Sequence, residues 1–429
     1  MSMHYLLQPI GGLMTRGSLF RAEGDEPKVV VQTVHFGNPG QLWPNLKNSS
    51  GESLTAAGSG LDHIEALLPA LGEGVERYSA SVHTSQQFIT ATAADLGKQA
   101  LDLESVPRCS AAELSHPKCH FIAPDKHAAI RWVQGISLLD GRPVYLPLVM
   151  VYLYPGSLSR SEMFYYPIST GCAAHVSLER ALLGAILEVV ERDAISIIWL
   201  QKLALPRIEV DHLPSPLDKY WQLYQRSSSE VEIFFFDGTS DFGIPTVYGV
   251  QVSRSNPKLT TLVNCSTAFS PADAIAKVIR DMAACRVHFR HDQPVPESWD
   301  DFAGTSQGGA YMARREQAHA FDFLLQSPLA RPLSRMRCLA SHGEKQDLQM
   351  VLEIFRNRGL DVYAVELSTD EALRSGMRVV RVVIPGLQPV GFNYRARYLG
   401  HPRLYDAPAK MGHPVLPEAQ LNHWPQPFA

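Results

Sequence analysis

The sequence lacks most of the features that assign a protein at first reading. Its six cysteines, Cys109, Cys119, Cys172, Cys265, Cys285 and Cys338, contain no C-x-x-C pair and no dense framework. That argues against a disulfide scaffold and for free thiols in a reducing compartment. No run of basic residues stands out, and 39 Lys and Arg stand against 43 Asp and Glu, for a net charge near −4. The electrostatic footprint of a nucleic-acid binder is therefore missing. The most apolar stretch, VYLPLVMVYLY, is broken by Pro147 and falls far short of the ~20 residues a membrane span needs. No Lys or Arg precedes Arg16 and no signal-type apolar core is present, so a soluble cytoplasmic protein with no membrane partner is expected. Three catalytic signatures are missing too: the G-x-x-x-x-G-K-[ST] phosphate loop, the G-x-S-x-G elbow and the H-E-x-x-H zinc helix.

What is present is core-forming sequence. With 429 residues, 45 % apolar and 19 % charged, the chain can bury a sizeable core. Residues 1–50, with a strand-like KVVVQTV and a Gly, Pro and Asn-rich link, read as a short N-terminal extension to a main domain over 51–429. Asp62, with Glu65 three residues on, opens a helix through IEALLPALGEGVERYSA. Residues 128–154 alternate about an Asp140-Gly141 turn and read as a β-hairpin. Ser177 caps a second helix whose Leu178, Leu182, Ala185, Ile186, Val189 and Val190 follow a 3.6-residue period. VEIFFFDG and PTVYGVQVS are strand-like, Ser270-Pro271 starts a third helix, and residues 346–392 supply a fourth helix and two strands. Long helices mixed with hairpins make the fold class α+β.

Two short motifs raise the functional question. LEVVERDA puts Glu188, Glu191 and Arg192 on one side of the second helix, and GEGVERYS puts Glu73, Glu76 and Arg77 in the same E-x-x-E-R spacing on the first. One such set is an ordinary solvated Glu–Arg pairing worth about 0.2–0.5 kcal/mol per pair. If two sets converge, four carboxylates at close range either raise one another's pKa or require a cation. Mg²⁺, a hard ion completed by phosphate oxygens and water, answers that need, with arginine forks for phosphate. The first helix also carries Pro69, Gly72 and Gly74, costing about 3 kcal/mol for an interior proline and about 1 for a glycine. Either something approaches it closely or it is broken. Gly58 and Gly60 in AAGSGLDH offer a phosphate cradle or a plain turn. His116, Cys119, His120 and Cys109 match no zinc spacing, and His175 has no evident partner.

Taken in order, GSG with its helix and GEGVERYS, WVQGISLLDGRPVYLP, STGCAAHVSLERALLGAILEVVERDA, VVIPGLQPV and a terminal PQPF resemble the YcaO family. More narrowly, they are similar to cyclodehydratases that form thiazolines and oxazolines in ribosomally made peptides, over about residue 55 to the end. The resemblance implies a YcaO-type fold, ATP and Mg²⁺ as cofactors, and activation of a backbone amide oxygen of a precursor peptide by phosphorylation. Carried over residue by residue, it assigns Glu73, Glu76, Glu188 and Glu191 to metal and nucleotide, and Arg77 and Arg192 to phosphate or to orienting the carboxylates. Asp281 and Arg286 fall on the third ATP-site helix, where Ala284 replaces the usual Gln. Pro69 stands where the family often has Ser, and Ser59 stands for the Lys of a G-K-G. Pro425 and Pro427 keep two prolines of a P-x-P-x-P tail whose terminal carboxylate, here that of Ala429, belongs near the active site. The resemblance further implies a homodimer and a separate leader-binding partner like ubiquitin-activating enzymes. A flavin-dependent dehydrogenase can follow to oxidise azoline to azole. Thioamide or amidine formation and a non-catalytic scaffold are the rival readings.

Overall fold

Three sheets carry the fold, and the strands expected from alternation form in them. The protein is described here by a computed structural model over residues 5–8, 12–23, 26–47, 54–226, 230–290 and 293–428. The first sheet is antiparallel, β1 (Met14–Arg21), β2 (Val30–Phe36) and β3 (Thr55–Gly60) in that order. The second has six strands: β4 (Ile89–Ala91), β5 (Ile130–Ser137), β6 (Pro143–Pro147), β7 (Cys172–His175), β13 (Tyr363–Glu366) and β14 (Arg378–Val383). They run in the order β4-β5-β13-β14-β7, with β6 also paired to β5. The third joins β8 (Arg207–Glu209), β9 (Val231–Asp237), β10 (Thr246–Ser253), β11 (Thr261–Thr267) and β12 (Ala330–Pro332) in the order β11-β10-β9-β8-β12.

Four helices clothe these sheets: α1 (His63–Ser81), α2 (Leu178–Leu200), α3 (Pro271–Phe289) and α4 (Glu344–Arg356). Asp62, Ser177 and Ser270 cap the first three by accepting from backbone N–H groups of the opening turn, as their sequence positions imply. The first half of α2 packs on Val380 and Val382 of β14 and on Val351 and Phe355 of α4. Its second half packs on Phe236, Tyr248 and Val250, so one helix ties the second sheet to the third. α3 covers the opposite face of the third sheet through Ile233, Phe235 and Val247. With both faces covered, residues 233–236 of β9, IFFF, form an unbroken apolar run instead of alternating.

The first fifty residues are no appendage. Leu6, Met14, Val34, Phe36 and Leu46 enter the same core as Ala70, Leu71 and Val75 of α1, so their described part is a layer of the fold. Beyond Pro147 the expected strand also fails: proline supplies no N–H for the ladder, and Leu148–Val151 forms one buried helical turn. Likewise residues 384–389, I-P-G-L-Q-P, follow β14 as a loop and not as a strand.

α1 is continuous through Pro69, Gly72 and Gly74. A Cβ on Gly58 would stand 2.3 Å from the Ala66 carbonyl oxygen and 2.5 Å from the Ala70 nitrogen, and one on Gly74 would stand 2.2 Å from Met14 Cε. Gly58-Ser59-Gly60 is therefore strand β3, neither turn nor phosphate cradle, and its glycines let α1 lie on it at backbone distance. Gly72 is different, with only Met377 Cε at 3.7 Å. Gly58→Ala is expected to destabilise by about 1–3 kcal/mol through overpacking, while Gly72→Ala stabilises by about 0.5–1 kcal/mol as an unhindered helix site. Urea unfolding of both variants checks this, and shifts of the same sign would contradict it.

Candidate functional site

Side chains of β14 alternate between the two helices that carry the repeated motif. Val379 and Val383 join the core beneath α1, and Val380 and Val382 join that beneath α2. α1 and α2 thus lie on opposite faces of the second sheet, and their glutamates meet around its edge, at the entry to β7.

On the α1 side, Arg77 Nε and Nη2 donate to Glu73 Oε1 at 3.0 and 2.8 Å. The Ala57 backbone N–H donates to Glu73 Oε2 at 2.7 Å. Glu76 is left over: it accepts no hydrogen bond among the described residues. Burial first, then the charges of Glu188 and Glu73, push its carboxyl well above the usual carboxylate range, against the pull of Arg77 and Arg381.

On the α2 side, Gly171 N–H donates to Glu188 Oε2 at 3.0 Å. Only glycine suits that position, since its φ is +85° and a Cβ would stand 2.4 Å from the Val382 carbonyl oxygen. Arg192 divides its fork, Nη2 to Glu188 Oε1 and Nη1 to Glu191 Oε1, both at 3.1 Å. Burial works against the Arg192 charge, but Glu188 and Glu191 outweigh it and hold the guanidinium ionised. Glu191 is 4 % exposed and its Oε2 accepts from Thr267 N–H at 3.0 Å and faces Lys277 Nζ at 3.5 Å.

The four expected carboxylates therefore divide three and one. Glu73 and Glu188 both act on Glu76, whereas Glu191 is engaged by Lys277, whose ammonium it holds above its ordinary pKa. Among the described residues no three His, Cys, Asp or Glu groups are gathered closely enough to hold a metal by themselves, and that includes the Cys109–His120 region. Asp281 lies within electrostatic reach of Lys277 and pairs with Arg280 at 2.8 Å. Arg286 is buried and donates to Gln251 Oε1 at 2.9 Å, on the sheet side of α3. Five residues beyond Asp281 is roughly 140° round a helix, which turns it away from the glutamates. His175 Nδ1 accepts from Ser177 N–H at 3.0 Å, a local contact at the start of α2. Ala429 lies outside the described residues.

Sequence reading missed three neighbours of the site. Lys277 sits one helical turn before Asp281. Arg381, the one charge inside VVRVV, donates to the Ile168 carbonyl at 2.5 Å and to Cys172 Sγ at 3.3 Å, and its buried Nε has no partner among the described residues. Asp193, next to Arg192, is fully buried. It accepts from Gln388 N–H of the I-P-G-L-Q-P loop at 2.8 Å and pairs with Arg403 at 2.8 Å. A charged residue in an apolar run was the available signal for Arg381.

Because the folded-state pKa of Glu76 is raised, folding favours its protonated form. That contribution is whole below the ordinary carboxylate pKa and is lost as the pH rises through the raised value. At pH 8 Glu76→Gln should therefore make the free protein more stable than wild type, by about 1.4 kcal/mol per unit of displacement, and the gap should close as the pH falls below 4. Denaturant unfolding at the two pH values measures it, and a variant less stable at pH 8 would contradict this picture.

Comparison with known proteins gives the context. A family model for YcaO cyclodehydratases, described as binding ATP and Mg²⁺, matches residues 57–388, more than half of the chain. A protein of Methanothermobacter thermautotrophicus described as uncharacterized is 26 % identical over 340 residues, 77 % of this chain and 81 % of that one. A heterocyclase solved in complex with substrate and cofactor superposes with a TM-score of 0.80 at 23 % identity, over 99 % of this chain. This chain spans 56 % of that heterocyclase, little more than half its length. A YcaO protein from Methanopyrus kandleri, bound with AMPPCP and Mg²⁺, gives a TM-score of 0.63 at 18 % identity, over 89 % of this chain and 87 % of that one. At these identities the structures establish the fold.

ATP and Mg²⁺ are accordingly the cofactors, and the residues fit them. Glu76 is a carboxylate without a hydrogen-bond donor, beside Glu188. Mg²⁺ ordinarily takes only one or two protein carboxylates, with phosphate oxygens and water completing its shell, so a trio of protein ligands is not needed. Lys277, with 44 % of its side chain exposed, and the Nε of Arg381 supply donors for an anionic ligand. The matched family model, the α+β architecture and the paired motifs agree: the chain belongs to the YcaO family.

Proposed function

We propose that the chain is an ATP-dependent cyclodehydratase subunit that converts Cys, Ser or Thr of a precursor peptide to thiazoline or oxazoline. The observation that carries this reading is Glu76, a carboxylate without a donor, held against Glu188 and Glu73 at the sheet edge. That arrangement is unfavourable in the free protein and becomes favourable with a cation between the helices.

In this reading Glu76 and Glu188 hold Mg²⁺. Glu73 and Glu191 complete the acidic set, and Arg77 and Arg192 keep it oriented. Lys277 and Asp281 line the nucleotide side, and Arg286 stays with the sheet. Bound ATP supplies the phosphoryl group that makes an amide oxygen a leaving group. A side-chain sulfur or oxygen bonds to the preceding carbonyl carbon, the carbon–oxygen bond breaks with the oxygen departing as phosphate, and the thiol or hydroxyl and amide protons are released. The peptide loses one water.

The precursor is the partner this chemistry requires. A leader-binding protein like ubiquitin-activating enzymes, a flavin-dependent azoline dehydrogenase and a second copy of the chain are further proposed partners, in the cytoplasm. Among the described residues no helix is long and apolar enough to cross a membrane.

Incubation with precursor, leader-binding partner, ATP and Mg²⁺, followed by mass spectrometry, tests the proposal. A loss of about 18 Da per ring, one water, is expected, and Glu188→Gln should slow it by about 100-fold or more. An unchanged peptide mass would contradict the reading, and a gain of about 16 Da, sulfur for oxygen, would move it to thioamide formation.

A further inference from the structure

Arg192 has little left to offer a phosphate. Its two terminal nitrogens are committed to Glu188 and Glu191, and its face is covered by the ring of Phe428, whose centroid is 4.6 Å from the guanidinium carbon. Phe428 is 5 % exposed and packs with Ala194, Ile195 and Ile198 of α2.

The path that delivers Phe428 there is fixed well before it arrives. Asn422 N–H donates to the Leu200 carbonyl at 2.8 Å, and Trp199 Nε1 donates to the Trp424 carbonyl at 3.2 Å. From the other side Tyr394 Oη donates to the His423 carbonyl at 2.7 Å and Arg397 Nη1 to the Asn422 carbonyl at 2.9 Å. Trp299 packs on His423 and on Trp424, with ring centroids 6.1 and 5.2 Å away. At Gly308 a Cβ would stand 2.2 Å from the Gln426 carbonyl oxygen, so the tail passes over a position that only glycine leaves open. An aliphatic side chain at 428 would fill the same volume. An aromatic ring also stabilises the desolvated cation through its π face.

We infer that Phe428 and Arg192 are a positioning couple: the seated C-terminal tail holds Arg192, and through it Glu188 and Glu191, in the arrangement that takes the metal–nucleotide ligand. This rests on the ATP and Mg²⁺ reading of the site. Arg192 is then a positioning residue and not a phosphate contact, and the tail acts on the metal side of the site.

Calorimetric titration of ATP at a series of Mg²⁺ concentrations tests it, on wild type, Phe428→Leu, Phe428→Tyr, Arg192→Lys and the Phe428→Leu/Arg192→Lys double variant, each with its unfolding midpoint recorded. Phe428→Leu should bind about 5- to 20-fold more weakly, with the loss seen as a higher Mg²⁺ requirement. Phe428→Tyr should bind like wild type, and the double variant should bind no more weakly than the weaker single one, because the residues act as a unit. Three results overturn the inference: wild-type affinity in Phe428→Leu, a loss that tyrosine does not restore, or single losses that multiply in the double variant. Wild type failing to bind ATP with Mg²⁺ would instead overturn the reading of the site on which the inference rests.

Discussion

Mutual repulsion of carboxylates around one sheet edge is the constraint on which the rest of the site depends. Glu76 comes from α1 and Glu188 from α2, on opposite faces of the second sheet, and burial with like charge leaves Glu76 unfavourably placed. Most of the other groups nearby restrain this pair. Glu73 is saturated by Arg77 and Ala57, Glu188 is pinned by Gly171 and Arg192, and Glu191 is anchored at the end of β11. One carboxylate is left without a donor while its neighbours are bonded, and in the proposed reading that asymmetry is what an ion between the helices relieves.

Backbone-level packing makes the arrangement possible. Gly58 and Gly74 let α1 approach β3 and the first sheet, and Gly171 lets the chain cross β14 while offering its N–H to Glu188. Asp193 and Arg403 form a buried pair, and removing one partner of such a pair costs about 3–5 kcal/mol. Since Asp193 also holds Gln388, α2 fixes the I-P-G-L-Q-P loop with the residue that follows its motif arginine.

Much of this was legible in the sequence, for reasons that differ by element. Caps at Asp62, Ser177 and Ser270, the Asp140-Gly141 turn and the periodic face of α2 are local signals, and local chemistry decided them. The repeat of E-x-x-E-R was legible because helical spacing fixes which side chains share a face. What failed was long-range. Nothing local says that β2 pairs with β3, that the helices meet around a sheet edge, or that Glu191 answers to Lys277. Nor does anything local say that Arg286 donates to Gln251 of the third sheet.

The central claim is that Glu76 and Glu188, one from each helix, hold the metal of a nucleotide site. Its most direct test is a crystal structure with a non-hydrolysable ATP analogue and Mn²⁺ in place of Mg²⁺, with the ion located by anomalous scattering. The account predicts one peak between α1 and α2, about 2.0–2.3 Å from an oxygen of Glu76 and from an oxygen of Glu188, with Arg192 still forked between Glu188 and Glu191. A metal bound elsewhere, or a nucleotide whose phosphates rest on Arg192 while Glu76 stays free, would contradict it.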